Sequence, residues 1–420
     1  MKWKNKGHEF EESGIKFKNN PKLIFIGDDF DQTHYYIDKP VNEFLNFLNP
    51  EIEFIKIPRK YAKRKMFVKL MLLLLEIKYN FRKQKAVIIA HYHYTKLKEI
   101  GILSKYLKRF YPKKPVFDTN EFFEKYLSIY ALYTANKVYV RDTCIIATTV
   151  CTLNCKYCLN FTPFIKEPAS VPLEKLKEEA DIYFKSVDKA GFFQISGGEP
   201  LSYKYLGDYI EWLAENYGKQ IGQILLATNG TLIPNKKLTK ILKKYNVILL
   251  LDNYTAAVPR LKPIRDNLIK YLEENKIDYR NYADKQEFFR FFPANEDYSR
   301  WSDEELAERA DKCWGLQPWR NLRNGRVYYC NFSSFAVTAG IIKDNPVNYF
   351  DLNNAENIDK KVFIEFLLGY SEQGYDTFCK HCNGINTANI LTTDIAGRQA
   401  KCKHDWHEGM TLQEYEEADR

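Results

Sequence analysis

The chain has 420 residues, of which 45% are hydrophobic and 28% are charged, so wholesale disorder is excluded and two or three domains with sizeable cores are expected. Nine cysteines, odd in number and clustered, do not fit a secreted disulfide framework. The N-terminal residues lack the apolar core of a signal peptide, and the longest apolar run, 66–77, is too short to cross a bilayer. We therefore expect a reduced, cytoplasmic protein whose thiols bind metal.

The net charge of +9 is unevenly distributed along the chain. Residues 56–114 contain 18 Lys and Arg residues but only Glu76 and Glu99 as acids, a local net charge of +16, so the remaining residues sum to −7. Such a patch can attract nucleic acid, phosphorylated metabolites or an anionic membrane face, whereas a lysine-rich surface that simply faces water is the plainer interpretation. The Leu-rich, basic segment 60–82 would also permit docking at a membrane interface.

An alternation of strands and helices is predicted for the first third of the chain. Short β-rich runs occur at 22–27, 52–58, 86–91 and 114–119, with helical patterns at 40–49 and 63–81. This order indicates parallel strands with crossover helices, and hence a separate, basic, Rossmann-like α/β domain over 1–135. "GDDFD" follows the first strand in place of G-x-G-x-x-G, so a dinucleotide site is not supported. We interpret His91 and His93, which end the third strand, as core or rim residues.

A second alternation begins near Lys137. The predicted strands are 137–150, 191–198, 223–230 and 247–254, and the predicted helices are 171–190, 206–218 and 235–246. Several βα units in a row indicate a full or partial barrel, whose reactive end is the carboxyl edge of its strands. We assign 136–300 to a partial (β/α)6 barrel.

Three cysteines follow the first strand of this barrel, Cys151, Cys155 and Cys158, in a C-x3-C-x2-C spacing. A structural zinc site takes four protein ligands, and no histidine lies near enough in the sequence to complete one. A four-iron cluster held by three thiolates would instead leave one iron open to an outside ligand. The chemistry of such a site depends on what binds that iron.

The stretch "CTLNCKYC", including Tyr157 before the third cysteine, resembles the signature of radical S-adenosylmethionine (radical SAM) enzymes. The resemblance implies that S-adenosylmethionine chelates the open iron of a 4Fe–4S cluster and yields a 5′-deoxyadenosyl radical. Two further elements resemble cofactor-binding motifs of that family: "SGGEP", with Gly197, Gly198, Glu199 and Pro200, and "TNG", with Thr228 and Asn229. The family's G-x-I-x-G-x-x-E pattern is not visible, so the adenine contacts are unplaced.

Each motif has a chemical rationale. Gly197 and Gly198 let the backbone approach a ligand without an intervening Cβ. Glu199 can accept a charge-assisted hydrogen bond from the ammonium group of the cofactor. Thr228 and Asn229 carry short donors and acceptors suited to ribose hydroxyls. Taken alone, "SGGEP" would be interpreted as a turn and "TNG" as a loop, but the two motifs follow the cysteines at intervals of about one βα unit.

A second cysteine set lies in the last 120 residues, which we assign to a cluster-binding domain over 301–420. Cys313 and Cys330, with Gly325 five residues before the latter, are followed by the C-x2-C pair Cys379 and Cys382. Gly325 predicts a tight hairpin turn with "RVYYC" as the return strand. Four cysteines can close a metal site, and zinc remains an alternative to an iron–sulfur cluster.

The layout of this second set is similar to the auxiliary-cluster extension known as SPASM, in its shortened twitch form with one auxiliary 4Fe–4S cluster. Such a cluster could accept an electron from a substrate radical. Cys402 is not one of these four cysteines; we expect a thiol near the cluster, the alternative being a ligand that replaces one of the four. Cys144 is expected to be a small core residue.

We expect a radical SAM enzyme that oxidises or rearranges a small polyol, sugar or nucleotide-sugar, reduced by a donor such as flavodoxin or ferredoxin. The alternatives are a SPASM-type peptide-modifying enzyme and a metal-dependent binding protein. Peripheral contact with an anionic membrane is compatible with the basic segment, and no nucleic-acid partner is expected. Candidates to hold a polar substrate or move a proton are Arg280, Tyr282, Glu287 and Arg290.

Overall fold

A computed structural model describes residues 4–27, 43, 47–57, 65–91, 97–281, 286–313, 320–354, 358–385 and 393–420. The chain divides into two compact units, one formed by Gly7–Arg141 and one that holds Asp142–Arg420. The second unit thus contains both the predicted barrel and the predicted cluster-binding region.

The first unit is built on a four-stranded parallel sheet. Its strands are β1 (Lys22–Gly27), β2 (Ile52–Lys56), β3 (Ala86–His91) and β4 (Val116–Asp118), in the order β2-β1-β3-β4. The helices are α1 (Lys4–Asn19), α2 (Lys65–Tyr79), α3 (Leu97–Phe110) and α4 (Leu127–Ala135), the last preceded by helical turns from Thr119 to Tyr126. The sequence predicts the four strands to within two residues, because central parallel strands are continuous apolar runs.

The buried faces of β1 and β3 form the core of this unit, together with Val68 and Leu72 from α2 and Leu103 from α3. His91 is a core residue, as predicted, and its Nδ1 lies 3.0 Å from Thr119 Oγ1. His93 and most of the predicted helix 40–49 lie outside the described residues.

The second unit contains an eight-stranded sheet. Its βα portion comprises β5 (Tyr139–Thr148), β6 (Lys189–Gly197), β7 (Ile221–Thr228), β8 (Ile248–Leu251) and β9 (Tyr279–Asn281). The connecting helices are α5 (Leu173–Ser186), α6 (Leu206–Tyr217), α7 (Lys236–Lys244) and α8 (Lys262–Asn275). From β6 to β9 neighbouring strands are parallel, and over the described ranges the sheet is open. The predicted α/β class with parallel strands is confirmed.

The C-terminal region adds strands to the same sheet. Strands β11 (Arg320–Arg323) and β12 (Arg326–Tyr328) form the predicted hairpin, with Asn324 and Gly325 at φ values of 54° and 67° as a two-residue turn requires. Strand β11 runs parallel to β5, and β13 (Tyr349–Asp351) pairs with β12. The order of the eight strands is therefore β13-β12-β11-β5-β6-β7-β8-β9.

The remaining elements of this region are α9 (Asp303–Asp311), α10 (Asn331–Thr338), α11 (Lys360–Leu367) and α12 (Leu412–Ala418). A separate pair joins β10 (Glu287–Phe289) to β14 (Thr393–Ile395) in antiparallel orientation. Among the helices that the structure describes, none has both the length and the apolarity that crossing a bilayer requires.

Candidate active site

The three cysteines that follow β5 lie around a cavity of about 280 Å³. Cys151, Cys155 and Cys158 all line this cavity, as do Gly197, Gly198 and Asn229 from the two downstream motifs. The strands β5, β6 and β7 are neighbours in the sheet, so their carboxyl ends bring the three motifs together. This convergence is the arrangement expected at the reactive end of parallel strands.

A polar side chain lies within hydrogen-bond distance of each thiol of this loop. Asn229 Nδ2 donates to Cys151 Sγ over 3.5 Å, and Gln399 Nε2 donates to Cys155 Sγ over 3.4 Å. The hydroxyl of Thr162 lies 3.3 Å from Cys158 Sγ. Hydrogen bonds of this kind are made to the thiolate ligands of iron–sulfur clusters, where they tune the reduction potential.

Burial raises the pKa of Cys151 to about 12, and it raises the pKa of Cys155 well above its usual range. The charge of Cys158 contributes to both shifts, so the three sulfurs are close enough to repel one another as thiolates. Thiolates in such a place need a compensating positive charge, and a metal centre supplies it. The donor set therefore fits a cluster held by three cysteines.

Gly197 and Gly198 are required by close backbone packing. A Cβ on Gly197 would lie 2.1 Å from the carbonyl oxygen of Thr148, and one on Gly198 would lie 2.4 Å from that of Val150. The end of β6 thus packs directly against the start of the cysteine loop, where Gly198 N donates to Thr148 O over 2.7 Å. Only residues without a side chain allow this approach.

Glu199 is fully buried and links the two downstream motifs. Its Oε1 accepts hydrogen bonds from Thr228 Oγ1 over 2.8 Å and from Leu201 N over 2.9 Å, and its Oε2 accepts one from Asn229 N over 2.8 Å. Burial raises the pKa of Glu199 to about 7 despite these donors. A carboxylate has lone pairs for a further donor, and the contact of Glu199 with an ammonium group stays a prediction. Pro200, at the start of the short helical turn after Glu199, is buried.

A second carboxylate, Asp252, lines the same cavity and directly follows β8. Its Oδ1 accepts a hydrogen bond from Gln286 Nε2 over 2.9 Å, and its Oδ2 accepts one from the hydroxyl of Tyr254 over 2.9 Å. Burial raises the pKa of Asp252, and the two donors oppose that shift. None of these three residues was predicted as part of the site, although Asp252 and Tyr254 lie within the predicted strand 247–254, near the edge where functional groups collect.

Residues 145–274 match the family model described as the Radical SAM superfamily. The chain carries a radical SAM domain. This domain identifies the protein as an enzyme, and the family uses a 4Fe–4S cluster with S-adenosylmethionine. A comparison with curated proteins found no match.

Three solved structures illustrate a remote similarity to the chain. BtrN in complex with AdoMet and 2-DOIA is 18% identical over 60% of this chain and 99% of its own, with a TM-score of 0.37. Streptococcus suis SuiB bound to precursor peptide SuiA is 20% identical over 37% of this chain, with a TM-score of 0.28, and the match spans only 35% of SuiB. The anSMEcpe enzyme with AdoMet and a Kp18Cys peptide is 12% identical over 62% of this chain and 94% of its own, with a TM-score of 0.35. Similarities this low carry nothing about the substrate.

The cysteine loop of the radical SAM domain is held by the C-terminal residues of the chain. Gln399 Oε1 accepts a hydrogen bond from Asn154 N over 2.8 Å, and Lys156 N donates to Arg398 O over 2.6 Å. Lys156 also forms an ion pair of 3.1 Å with Asp419, and both side chains are largely buried. The loop is thus fixed by residues that lie about 240 positions away in the sequence.

Tyr157, the aromatic residue of the cysteine loop, is buried against the C-terminal residues of the chain. Its hydroxyl donates to Glu416 Oε1 on α12 over 2.6 Å, and the guanidinium of Arg290 lies 5.4 Å from the centre of its ring. Arg290 also pairs with Glu416 over 3.0 Å, so this candidate substrate residue supports the loop.

The other candidate substrate residues differ in position. Glu287 lines the cavity, whereas Arg280 is exposed on β9. Tyr282 lies outside the described residues.

The second cysteine set also comes together in the fold. The charges of Cys313, Cys379 and Asp376 contribute, after burial, to raising the pKa of Cys330 well above its usual range. Cys382 and Cys313 act in the same way on Cys379. Two backbone N–H groups donate to these thiols, Gly384 N to Cys382 Sγ over 3.2 Å and Ile385 N to Cys313 Sγ over 3.3 Å.

Helix α10 leads from the second cysteine set to the cavity of the radical SAM domain. Helix α10 begins directly after Cys330, and its residues Asn331 and Phe335 line the cavity of the radical SAM domain. The side-chain oxygen of Asn331 is buried without a hydrogen-bond partner, which marks a polar position beside both sets.

The last two cysteines lie apart from the second set. Cys402 is exposed, and its carbonyl oxygen accepts a hydrogen bond from Asn154 of the first loop over 2.9 Å. Cys144 is buried within β5, as expected, and also lines the cavity. Over the described ranges, no three His, Cys, Asp or Glu side chains are grouped to hold a single metal ion.

Proposed function

We propose that Cys151, Cys155 and Cys158 hold a 4Fe–4S cluster with one open iron, and that the enzyme abstracts hydrogen from a small polar substrate. The substrate class is a polyol, sugar or nucleotide-sugar, and the reaction is an oxidation or a rearrangement. With S-adenosylmethionine bound, the reduced cluster supplies a 5′-deoxyadenosyl radical. A cytoplasmic donor such as flavodoxin or ferredoxin is the proposed reductant.

The observation that carries the substrate class is the position of Asp252 in the wall of the cavity. Gln286 and Tyr254 fix the carboxylate, and each oxygen keeps a lone pair that can accept a substrate hydroxyl. Burial raises the pKa of Asp252 towards the pH at which the enzyme works, and this makes its carboxylate a more effective acceptor of the substrate's hydroxyl proton.

The other residues have supporting roles in this proposal. Glu199 binds the ammonium group of S-adenosylmethionine while it keeps the Thr228 and Asn229 turn in place. Asn229, Gln399 and Thr162 hold the three thiols at the rim of the cavity. Cys313, Cys330, Cys379 and Cys382 are proposed to bind an auxiliary 4Fe–4S cluster, which their shared electrostatic environment supports.

The test is a substrate panel with the anaerobically reconstituted enzyme, S-adenosylmethionine and a chemical reductant. We expect aminocyclitols, sugars or nucleotide-sugars to increase the release of 5′-deoxyadenosine, with deuterium transferred to it from a deuterated substrate. Stimulation and deuterium transfer from peptides alone would contradict the proposed class and establish the peptide-modifying alternative.

A further inference from the structure

Helix α2 of the first unit is apolar on two opposite faces. Val68 and Leu72 are fully buried against the sheet of that unit. On the other side, Met66, Leu70, Leu73, Leu74 and Ile77 are all between 50% and 75% exposed. Spacings of four, seven, eight and eleven residues from Met66 put these five side chains on one stripe of the helix. A contiguous, exposed apolar stripe of this kind is typical of an interaction site.

The exposed charged side chains around this stripe are basic. Lys69 precedes Leu73 by four residues and Lys78 follows Leu74 by four, so exposed lysines flank the stripe on both sides. The only acid in the helix is Glu76, whose Oε1 accepts a hydrogen bond from Arg82 N over 3.2 Å and whose Oε2 is buried. Arg82, Lys83 and Lys85 are exposed immediately after the helix.

We propose that this face of α2 docks the enzyme on an anionic lipid surface. The helix has 15 residues, too few to span a bilayer, but its apolar stripe can enter the acyl region while the lysines remain at the headgroups. A second copy of the chain would bring the same lysines against one another, whereas anionic lipid neutralises them. The inference is independent of the proposed reaction, because α2 belongs to the other compact unit.

The test is flotation of the full-length protein with vesicles of phosphatidylcholine, with and without phosphatidylglycerol. Wild type is expected to float with the anionic vesicles and to lose binding as salt is raised. The triple variant Leu70→Gln/Leu74→Gln/Ile77→Gln is expected to bind more than about tenfold more weakly. A matched variant, Ile15→Gln/Ile264→Gln/Val362→Gln, removes three exposed apolar side chains elsewhere and is expected to bind like wild type.

The variant Lys69→Gln/Lys78→Gln provides a second test that leaves every apolar contact in place. Its binding at low salt is expected to fall by about fivefold for each lysine. Binding of the triple variant at wild-type strength, or equal binding of wild type to neutral vesicles, would overturn the proposal. So would a wild-type dimer in light scattering that the triple variant abolishes without any flotation, because the stripe would then be a contact between copies of the chain.

Discussion

The side-chain amide of Gln399 donates a hydrogen bond to Cys155 Sγ, although the two residues are 244 positions apart in the sequence. The same side chain accepts the backbone N–H of Asn154 and donates to the carbonyl of Gly397 over 2.7 Å. One glutamine therefore both positions the cysteine loop and sets the charge density on one of its sulfurs.

Replacing Gln399 with leucine removes the N–H donor from the Cys155 sulfur. Because hydrogen bonds to cluster sulfurs stabilise the reduced, more negative state, we expect the reduction potential of the cluster to fall by on the order of tens of millivolts. An EPR-monitored redox titration of the reconstituted protein measures this shift. Gln413→Leu, on the exposed side of α12, is the control and should leave the potential unchanged.

Asp252→Asn is expected to lower substrate turnover by about 100-fold or more, because the amide cannot take a proton from the substrate. Release of 5′-deoxyadenosine without substrate should stay near the wild-type rate, which separates this role from cofactor binding. The control is Asp266→Asn, which removes a carboxylate that pairs with Lys262 on the exposed surface of α8. A variant that turns over substrate normally would exclude Asp252 as the acceptor.

The second cysteine set gives a prediction in iron content. Wild type reconstituted under anaerobic conditions should bind about eight irons, and Cys379→Ala should retain about four, because one of two four-iron clusters loses a ligand. Cys402→Ala changes an exposed thiol outside the set and should retain all of them. An iron content of about four in wild type, or zinc in the purified protein, would contradict an auxiliary iron–sulfur cluster.

Glu179 on α5 allows a stability prediction that is independent of the clusters. Burial raises its pKa to about 7, so its ionisation disfavours the folded state as the pH rises from about 4.5 through 7. Glu179→Gln should therefore be more stable than wild type at pH 8, by roughly 1–3 kcal/mol, and about equal to it at pH 4.5. Thermal unfolding at the two pH values measures the difference. The control is Glu178→Gln, the same change at the exposed neighbouring residue.

Most of the parallel sheets could be predicted from the sequence, because apolar runs such as β1 and β3 have few alternatives to a buried strand. Strand β9 was missed because it has only three residues and is largely exposed. The addition of β11 to the edge of β5 was also missed, since strand pairing between distant segments leaves no local pattern.

For the site, too, local sequence patterns predicted some residues, and tertiary contacts determine the others. The three motifs were placed together because carboxyl ends of neighbouring parallel strands share one edge, and the same rule could have included Asp252. The roles of Gln399, Glu416 and Arg290 could not be predicted, because they arise from tertiary contacts of the C-terminal residues with the cysteine loop. The burial of Tyr157 against α12 follows from the same contacts.

We propose above that Cys151, Cys155 and Cys158 leave one iron open for S-adenosylmethionine. The most direct measurement is EPR of the reduced cluster in a Cys313→Ala/Cys379→Ala variant, before and after addition of S-adenosylmethionine labelled with a nitrogen isotope at its amino group. We predict a changed spectrum and a hyperfine coupling from the labelled nitrogen. A spectrum that the cofactor leaves unchanged would mean that the fourth iron is already bound by the protein, and would contradict an open iron at this site.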